Sequence, residues 1–197
     1  KVEEILNTGS FATTTLRAGI IVGSGSASFE IIRDLVNKLP VVITPRWLNT
    51  KCQPIAITDV LELLYKSLLN PETYNQSFDI GGPDILTYKE MLLGFAEAKN
   101  LKRWIVTVPI MTPKLSSYWL YFVTSTSYRL ASALVSSMKV EVVCSDTRIN
   151  ELLGITPMTY KQALSRALIK VDEDKVASSW KDSLVSGRFT SNMSEYL

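Results

Sequence analysis

A chain of 197 residues with 46% hydrophobic and 20% charged residues has the makings of an ordinary globular protein, with one good core or two small ones. The net charge of +2 comes from 21 basic and 19 acidic residues mixed along the chain, so no basic block tracks a phosphate backbone and no nucleic-acid partner is expected. The absence of histidine removes the usual general base near neutral pH, the usual zinc ligand and every histidine-dependent triad.

Any active site must therefore use Tyr, Lys, Arg or a carboxylate. Cys52 and Cys144 fit no metal spacing and make no disulfide framework, which favours a reducing, cytoplasmic compartment. The chain opens on Lys1 and VEEIL, half of an amphipathic helix without an initiator methionine, and reads as cut from something longer. No basic region followed by an apolar core opens it, as a secretory signal would.

In chain order, residues 2–6 predict a helix end closed near Gly9. Residues 13–22 are threonines followed by a nearly continuous apolar run, the pattern of a strand covered on both faces in a parallel sheet. Gly19, Gly23 and Gly25 follow or interrupt it, but Ser26, Ala27 and Ser28 stand where a dinucleotide fingerprint needs its third glycine. Phe29, Ile32, Leu35 and Val36 then repeat at helical spacing, with Ser26 or Ser28 as cap, until Leu39-Pro40 ends the helix.

Residues 41–43 predict a short strand, TPRWLNTKCQ a turn, and residues 54–57 another extended piece. Asp59 and Glu62 have capping-box spacing, and Val60, Leu61, Leu64 and Leu68 form one stripe of a helix that Asn70-Pro71 stops. A short strand over 77–80 runs into the turn Gly81-Gly82-Pro83-Asp84. Two further capping boxes, Thr87 with Glu90 and Thr159 with Gln162, open the helices 91–99 and 163–171.

Both boxes contain Thr-Tyr-Lys, which looks like a catalytic tyrosine and lysine. Adjacent residues on a helix point about 100° apart and cannot share one ligand. The pairs are therefore read as helix starts with solvent-facing polar groups. The apolar stretch 104–123 is no membrane span, because Pro109 and Pro113 interrupt it and Lys114 lies near its middle. It predicts a strand over 104–108 and then, over 115–134, a helical region with an aromatic face from Tyr118, Tyr121, Phe122 and Tyr128. A last strand is expected over 140–143, a short helix over 148–153 closed by Gly154, and a polar tail beyond Gly187.

LRAGIIVGSGS, the Asp59-Val-Leu segment and, most specifically, DIGGPDILTYKEML together resemble the C-terminal part of atypical and extended short-chain dehydrogenase/reductase proteins. The nearest group is the bacterial NAD(P)-binding, nucleoside-diphosphate-sugar-epimerase-like proteins, over residues 1–183. The resemblance implies an α/β fold: the C-terminal portion of a Rossmann-like parallel sheet plus the smaller substrate-side domain. Residues 1–40 would end the Rossmann-like domain with its sixth strand, 41–58 make a substrate-side excursion, and 59–100 return for the seventh strand. Residues 101–183 would build the substrate-side domain and 184–197 a tail.

In that family the phosphate-binding glycines and the catalytic Tyr-x-x-x-Lys precede the region that this sequence matches. The implied function is the substrate-side half of an NAD(P)-dependent oxidoreductase or sugar-nucleotide-epimerase-like protein. A non-enzymatic dinucleotide sensor or scaffold is the alternative. The resemblance places Ala18, Gly19 and Ile20 beside the cofactor, and Arg17, Arg46 and Trp47 are the substrate-binding candidates: arginine for a carboxylate or phosphate, tryptophan to stack on a ring. The family's Arg-Pro becomes Arg17-Ala18, and Gly19, Ile20 and Ile21 stand where an asparagine is usual, against an ordinary UDP-sugar substrate. NAD or NADP is expected in the intact protein, with none bound tightly by this chain alone. The expected partners are a small-molecule substrate and the upstream Rossmann portion; without the latter, the strand over 16–22 is expected to self-associate or partly unfold.

Overall fold

Parallel pairing organises the strands. The computed structural model describes residues 2–6, 8–108 and 138–172. Within them β1 (Thr14–Ala18) pairs with β6 (Gln76–Ile80), β2 (Ile20–Val22) with β5 (Pro54–Ala56), and β3 (Val41–Pro45) with β8 (Trp104–Val108), all in parallel. A short antiparallel pair joins β4 (Lys51–Cys52) to β7 (Leu86–Thr87). The helices are α1 (Val2–Leu6), α2 (Ala27–Lys38), α3 (Ile57–Ser67), α4 (Tyr88–Ala98), α5 (Arg148–Leu153) and α6 (Tyr160–Asp172). This is the expected α/β class.

The expected strand over 13–22 is two strands that change partner at Gly19. A Cβ at that position would lie 2.5 Å from Val142 Cγ1, so glycine lets residue 142 pass directly over the changeover. The β2–β5 pair is then the wall between two cores. Ile20, Val22 and Ala56 face a cluster with Phe29, Leu35, Met91, Phe95 and Leu164, whereas Ile21 and Ile55 face a second with Val60, Leu63, Phe78 and Ile149. Strands covered on both faces read as continuous apolar runs, which is why residues 20–22 do.

Several local expectations hold. Ser26 caps α2 by accepting from the Phe29 amide, Thr87 and Glu90 form a full capping box on α4, and Gly154 closes α5 in the left-handed region at φ 59°. Thr159 and Gln162 bond reciprocally at the start of α6.

Others are corrected. The N-cap of α3 is Ala56, three residues before Asp59, and Asp59 is no cap: its buried carboxylate accepts from the Met158 amide at 2.8 Å. The buried face of α3 is Asp59, Val60, Leu63 and Ser67, while Leu61, Leu64 and Leu68 are exposed. With leucines on both flanks, the periodicity supported either stripe. The strand expected over 140–143 is a single bridge between Val142 and Cys52. The expected aromatic helix over 115–134 and the tail beyond Gly187 lie outside the described residues.

Candidate functional site

The parallel pair β1–β6 ends in a cleft of about 240 Å³. Its floor is the end of both strands, Arg17 to Gly19 and Asp79 to Ile80, and its rim is Gln53 with residues 141–144. This is the position where open α/β sheets bind ligands, beyond the carboxyl ends of the strands. At that volume it holds one end of a small molecule and not a whole dinucleotide.

Gln53 fixes the rim. Its Nε2 donates to the Gly82 carbonyl at 2.7 Å and its Oε1 accepts from the Cys144 amide at 3.0 Å, so one buried side chain ties the 141–144 segment to the glycine turn. Gly81 is required there, since a Cβ would meet Cys144 Sγ at 2.7 Å and Gln53 Cδ at 2.8 Å. Past the turn, Asp84 accepts from the Tyr160 amide at 2.6 Å and so holds the first turn of α6. The whole DIGGPD segment is thus a junction: strand end, close backbone approach and helix anchor in six residues.

Charge in the cleft is held by hydrogen bonds. Asp79 accepts from both the amide (3.0 Å) and the hydroxyl (2.6 Å) of Ser145, which keep its carboxyl below the usual range. Arg17 is paired with Glu3 of α1 at 2.7 Å, and Ser77 donates to the same carboxylate, so Glu3 is also held low, first by Arg17 and then by Ser77. Burial, and then the Asp79 charge, push the Cys144 thiol up, so it is no thiolate nucleophile at neutral pH. Arg17, Asp79 and Glu141 can hold hydroxyls or an amide in place. The lowered Asp79 and the raised Cys144 are both poorly matched to proton exchange near pH 7.

The sequence-derived candidates fall in different places. Arg17, Ala18 and Gly19 line the cleft, with Arg17 already engaged by Glu3. Ile20 is buried in the first core. Arg46 and Trp47 open a 3₁₀ turn (Arg46–Asn49) directly after β3. Gln53, Asp79 and Cys144 were missed. The one available signal was Asp79, a carboxylate inside the strand SFDI immediately before two glycines.

The glycine turn after β2 does not fit a pyrophosphate. Gly23 is small because a Cβ would lie 2.5 Å from Ile57 Cγ2, a packing demand between strand and helix. At the start of α2, the Ser26 side chain already takes the Phe29 amide that a phosphate would need.

The two Thr-Tyr-Lys tyrosines are not solvent-facing, as the sequence reading had them. Tyr88 and Tyr160 are buried in the first core, and the Tyr160 hydroxyl donates to the Met91 carbonyl at 2.9 Å. Burial pushes the Tyr88 phenol up to about 12 and raises Tyr160 as well, so neither is an acid for catalysis. Lys161 reaches Glu97 on the surface at 3.6 Å, well away from the phenol beside it in sequence. Among the described residues, no cluster could hold a metal ion and no helix is long and apolar enough to cross a membrane.

No family model and no curated protein matches the chain. Solved structures do. A nucleoside-diphosphate-sugar epimerase from Staphylococcus aureus superposes with TM-score 0.60 at 15% identity, over 82% of this chain and 55% of that one. A UDP-glucose 4-epimerase from Thermotoga maritima, with UDP-glucose, gives 0.62 at 13% identity, over 88% and 51%. An NADPH-dependent quinone oxidoreductase from Escherichia coli, complexed with NADPH, gives 0.64 at 12% identity, over 83% and 56%. The fold is Rossmann-like. The chain spans about half the length of the solved structures it matches. The cleft between Arg17 and Cys144 sits at the carboxyl ends of the paired parallel strands β1 and β6.

Proposed function

We propose that the chain is the substrate-side half of an NAD(P)-dependent oxidoreductase or sugar-nucleotide-epimerase-like protein. The observation that carries this reading is the cleft at the carboxyl ends of β1 and β6, in a chain matching about half of each Rossmann-like epimerase or reductase. An upstream Rossmann portion grips the dinucleotide, because the glycine turn after β2 is closed by Ile57 and by Ser26. This half orients a small substrate. Asp79 and Glu141 accept its hydroxyls and Arg17 offers the guanidinium edge that Glu3 leaves open, while Arg46 and Trp47, on the turn after β3, remain the further substrate candidates. Ala18 and Gly19 present backbone on the cleft floor to the cofactor's reactive end; Ile20 supports them from the core. Free Cys52 and Cys144 suit a reducing cytoplasm.

A non-enzymatic dinucleotide sensor is the second reading, favoured by one observation: Asp79 is held below, and Cys144 above, the range useful for proton transfer at neutral pH. Titration calorimetry separates the parts. The 197-residue chain should show no binding of NADH or NADPH in the micromolar range, and the full-length product of its gene should bind one of them. Micromolar binding by the chain alone overturns the proposal. Cofactor binding by the full-length product without oxidation of NAD(P)H by any carbonyl or quinone substrate selects the sensor.

A further inference from the structure

The cleft at the ends of β1 and β6 is unevenly charged. Its lining carries one cation, Arg17, and two carboxylates, Asp79 and Glu141. The cation is already paired. Arg17 Nε donates to Glu3 Oε2 at 3.3 Å and Nη2 to Glu3 Oε1 at 2.7 Å, the two-pronged contact in which a guanidinium matches a carboxylate. The Ser77 hydroxyl donates to the same Oε1, so one carboxylate on α1 gathers donors from two neighbouring strands. These bonds, Arg17 foremost, hold the Glu3 carboxyl below its usual range and keep it charged at neutral pH.

The two lining carboxylates have no such counter-ion. Asp79 is bonded by the amide and hydroxyl of Ser145, neutral donors that leave its charge in place. Glu141 has no ion-pair partner among the described residues. Arg148, on α5, is turned elsewhere: it lies 3.7 Å from Asp146 and 4.8 Å over the Phe78 ring. The rim feels the result. The Cys144 thiol is pushed up by burial first and then by Asp79, with Asp146 acting in the same direction.

We infer that Glu3 sets the charge specificity of the cleft: by holding Arg17 in an ion pair it leaves Asp79 and Glu141 dominant, so the cleft takes a substrate end bearing hydroxyls or an amine and turns away a carboxylate or phosphate. The inference rests on the reading of this cleft as a substrate site and narrows the class of substrate. Glu3 lies outside the lining and acts through Arg17, which makes it a positioning residue. Its two bonds leave Nη1 outside the pair, free to donate to a neutral carbonyl or hydroxyl oxygen, while the charge that would draw an anion is offset. An anion entering this space of about 240 Å³ would face two carboxylates at short range, where like charges repel most.

Cys144 is a built-in probe of this charge, because it lines the cleft while Cys52 is fully buried. The full-length gene product, free of cofactor, is treated with trimethylammonioethyl or sulfonatoethyl methanethiosulfonate, which share one reactive group and differ in charge. Mass spectrometry of the Cys144 peptide gives the two rates, and their ratio cancels the thiolate fraction. Relative to mercaptoethanol, the cationic reagent should be favoured about tenfold or more. Glu3→Gln, which keeps the shape and the acceptor oxygen, should cut that preference by about threefold, as should Glu141→Gln at an exposed position, and Arg17→Gln should increase it. A ratio equal to that of mercaptoethanol overturns the inference, as does no labelling of Cys144 by either reagent. A preference that Glu3→Gln leaves unchanged, even with lowered stability, reduces Glu3 to a structural tie and overturns it too. A cationic preference without NADPH binding by the full-length product counts against the half-molecule reading alone; NADPH binding without the preference counts against the charge specificity alone.

Discussion

At Gly82 a Cβ would lie 2.5 Å from the Pro54 carbonyl oxygen and 3.1 Å from that of Met158. Both atoms are backbone, and the Pro54 oxygen already accepts from the Gly82 amide at 2.9 Å. Gly19 is crowded as closely, but by a methyl of the part-exposed Val142, which can turn away. Gly82→Ala should therefore cost about 2–3 kcal/mol of stability and Gly19→Ala about 1 kcal/mol, by the usual penalty for overpacking. Urea denaturation of the two variants checks the order; equal losses would mean that the Val142 segment is as rigid as the sheet. These residue roles were partly legible. Two glycines before Pro83 announce a tight turn, but nothing in KCQPIA announces that Gln53 will reach both Gly82 and Cys144, since those contacts join positions far apart in sequence.

The helix ends show most clearly what the sequence could tell. Ser26, Thr87 and Thr159 act within three residues of themselves, so their pattern is local and readable. Asp59 has the same spacing to an acidic residue, yet its partner is the Met158 amide, 99 positions away. Thr87→Ala and Thr159→Ala should each cost on the order of 1 kcal/mol. Asp59→Ala should cost more, about 2–3 kcal/mol, because it strands a part-buried amide and removes a buried acceptor. Thermal denaturation ranks the three, and turnover by the full-length protein, where present, should be unchanged by Thr87→Ala once stability is matched. A hundredfold loss of turnover there would make Thr87 a site residue. The stripe of α3 was misread for a similar reason: Leu61, Leu64 and Leu68 are as periodic as Val60 and Leu63, and only the neighbouring layers decide which flank is buried.

The parallel sheet class followed from apolar runs punctuated by capped helices, whereas the exchange of partners at Gly19 did not, because it depends on Val142 arriving overhead. That exchange has a consequence for how the molecule comes apart. One continuous segment contributes Ile20 and Val22 to one core and Leu16 and Ile21 to the other, and β5 divides in the same way between Ala56 and Ile55. There is no seam along which the described part could split, since freeing either core tears residues out of its twin. Melting should accordingly be all-or-none, with tryptophan fluorescence and far-ultraviolet circular dichroism tracing superimposable curves in urea. Two separated transitions would mean that the wall between the cores yields before they do. If the curves coincide, a lesion at Gly82, beside the wall, will weaken both cores equally, and damage anywhere along residues 14–22 will be felt throughout the described part.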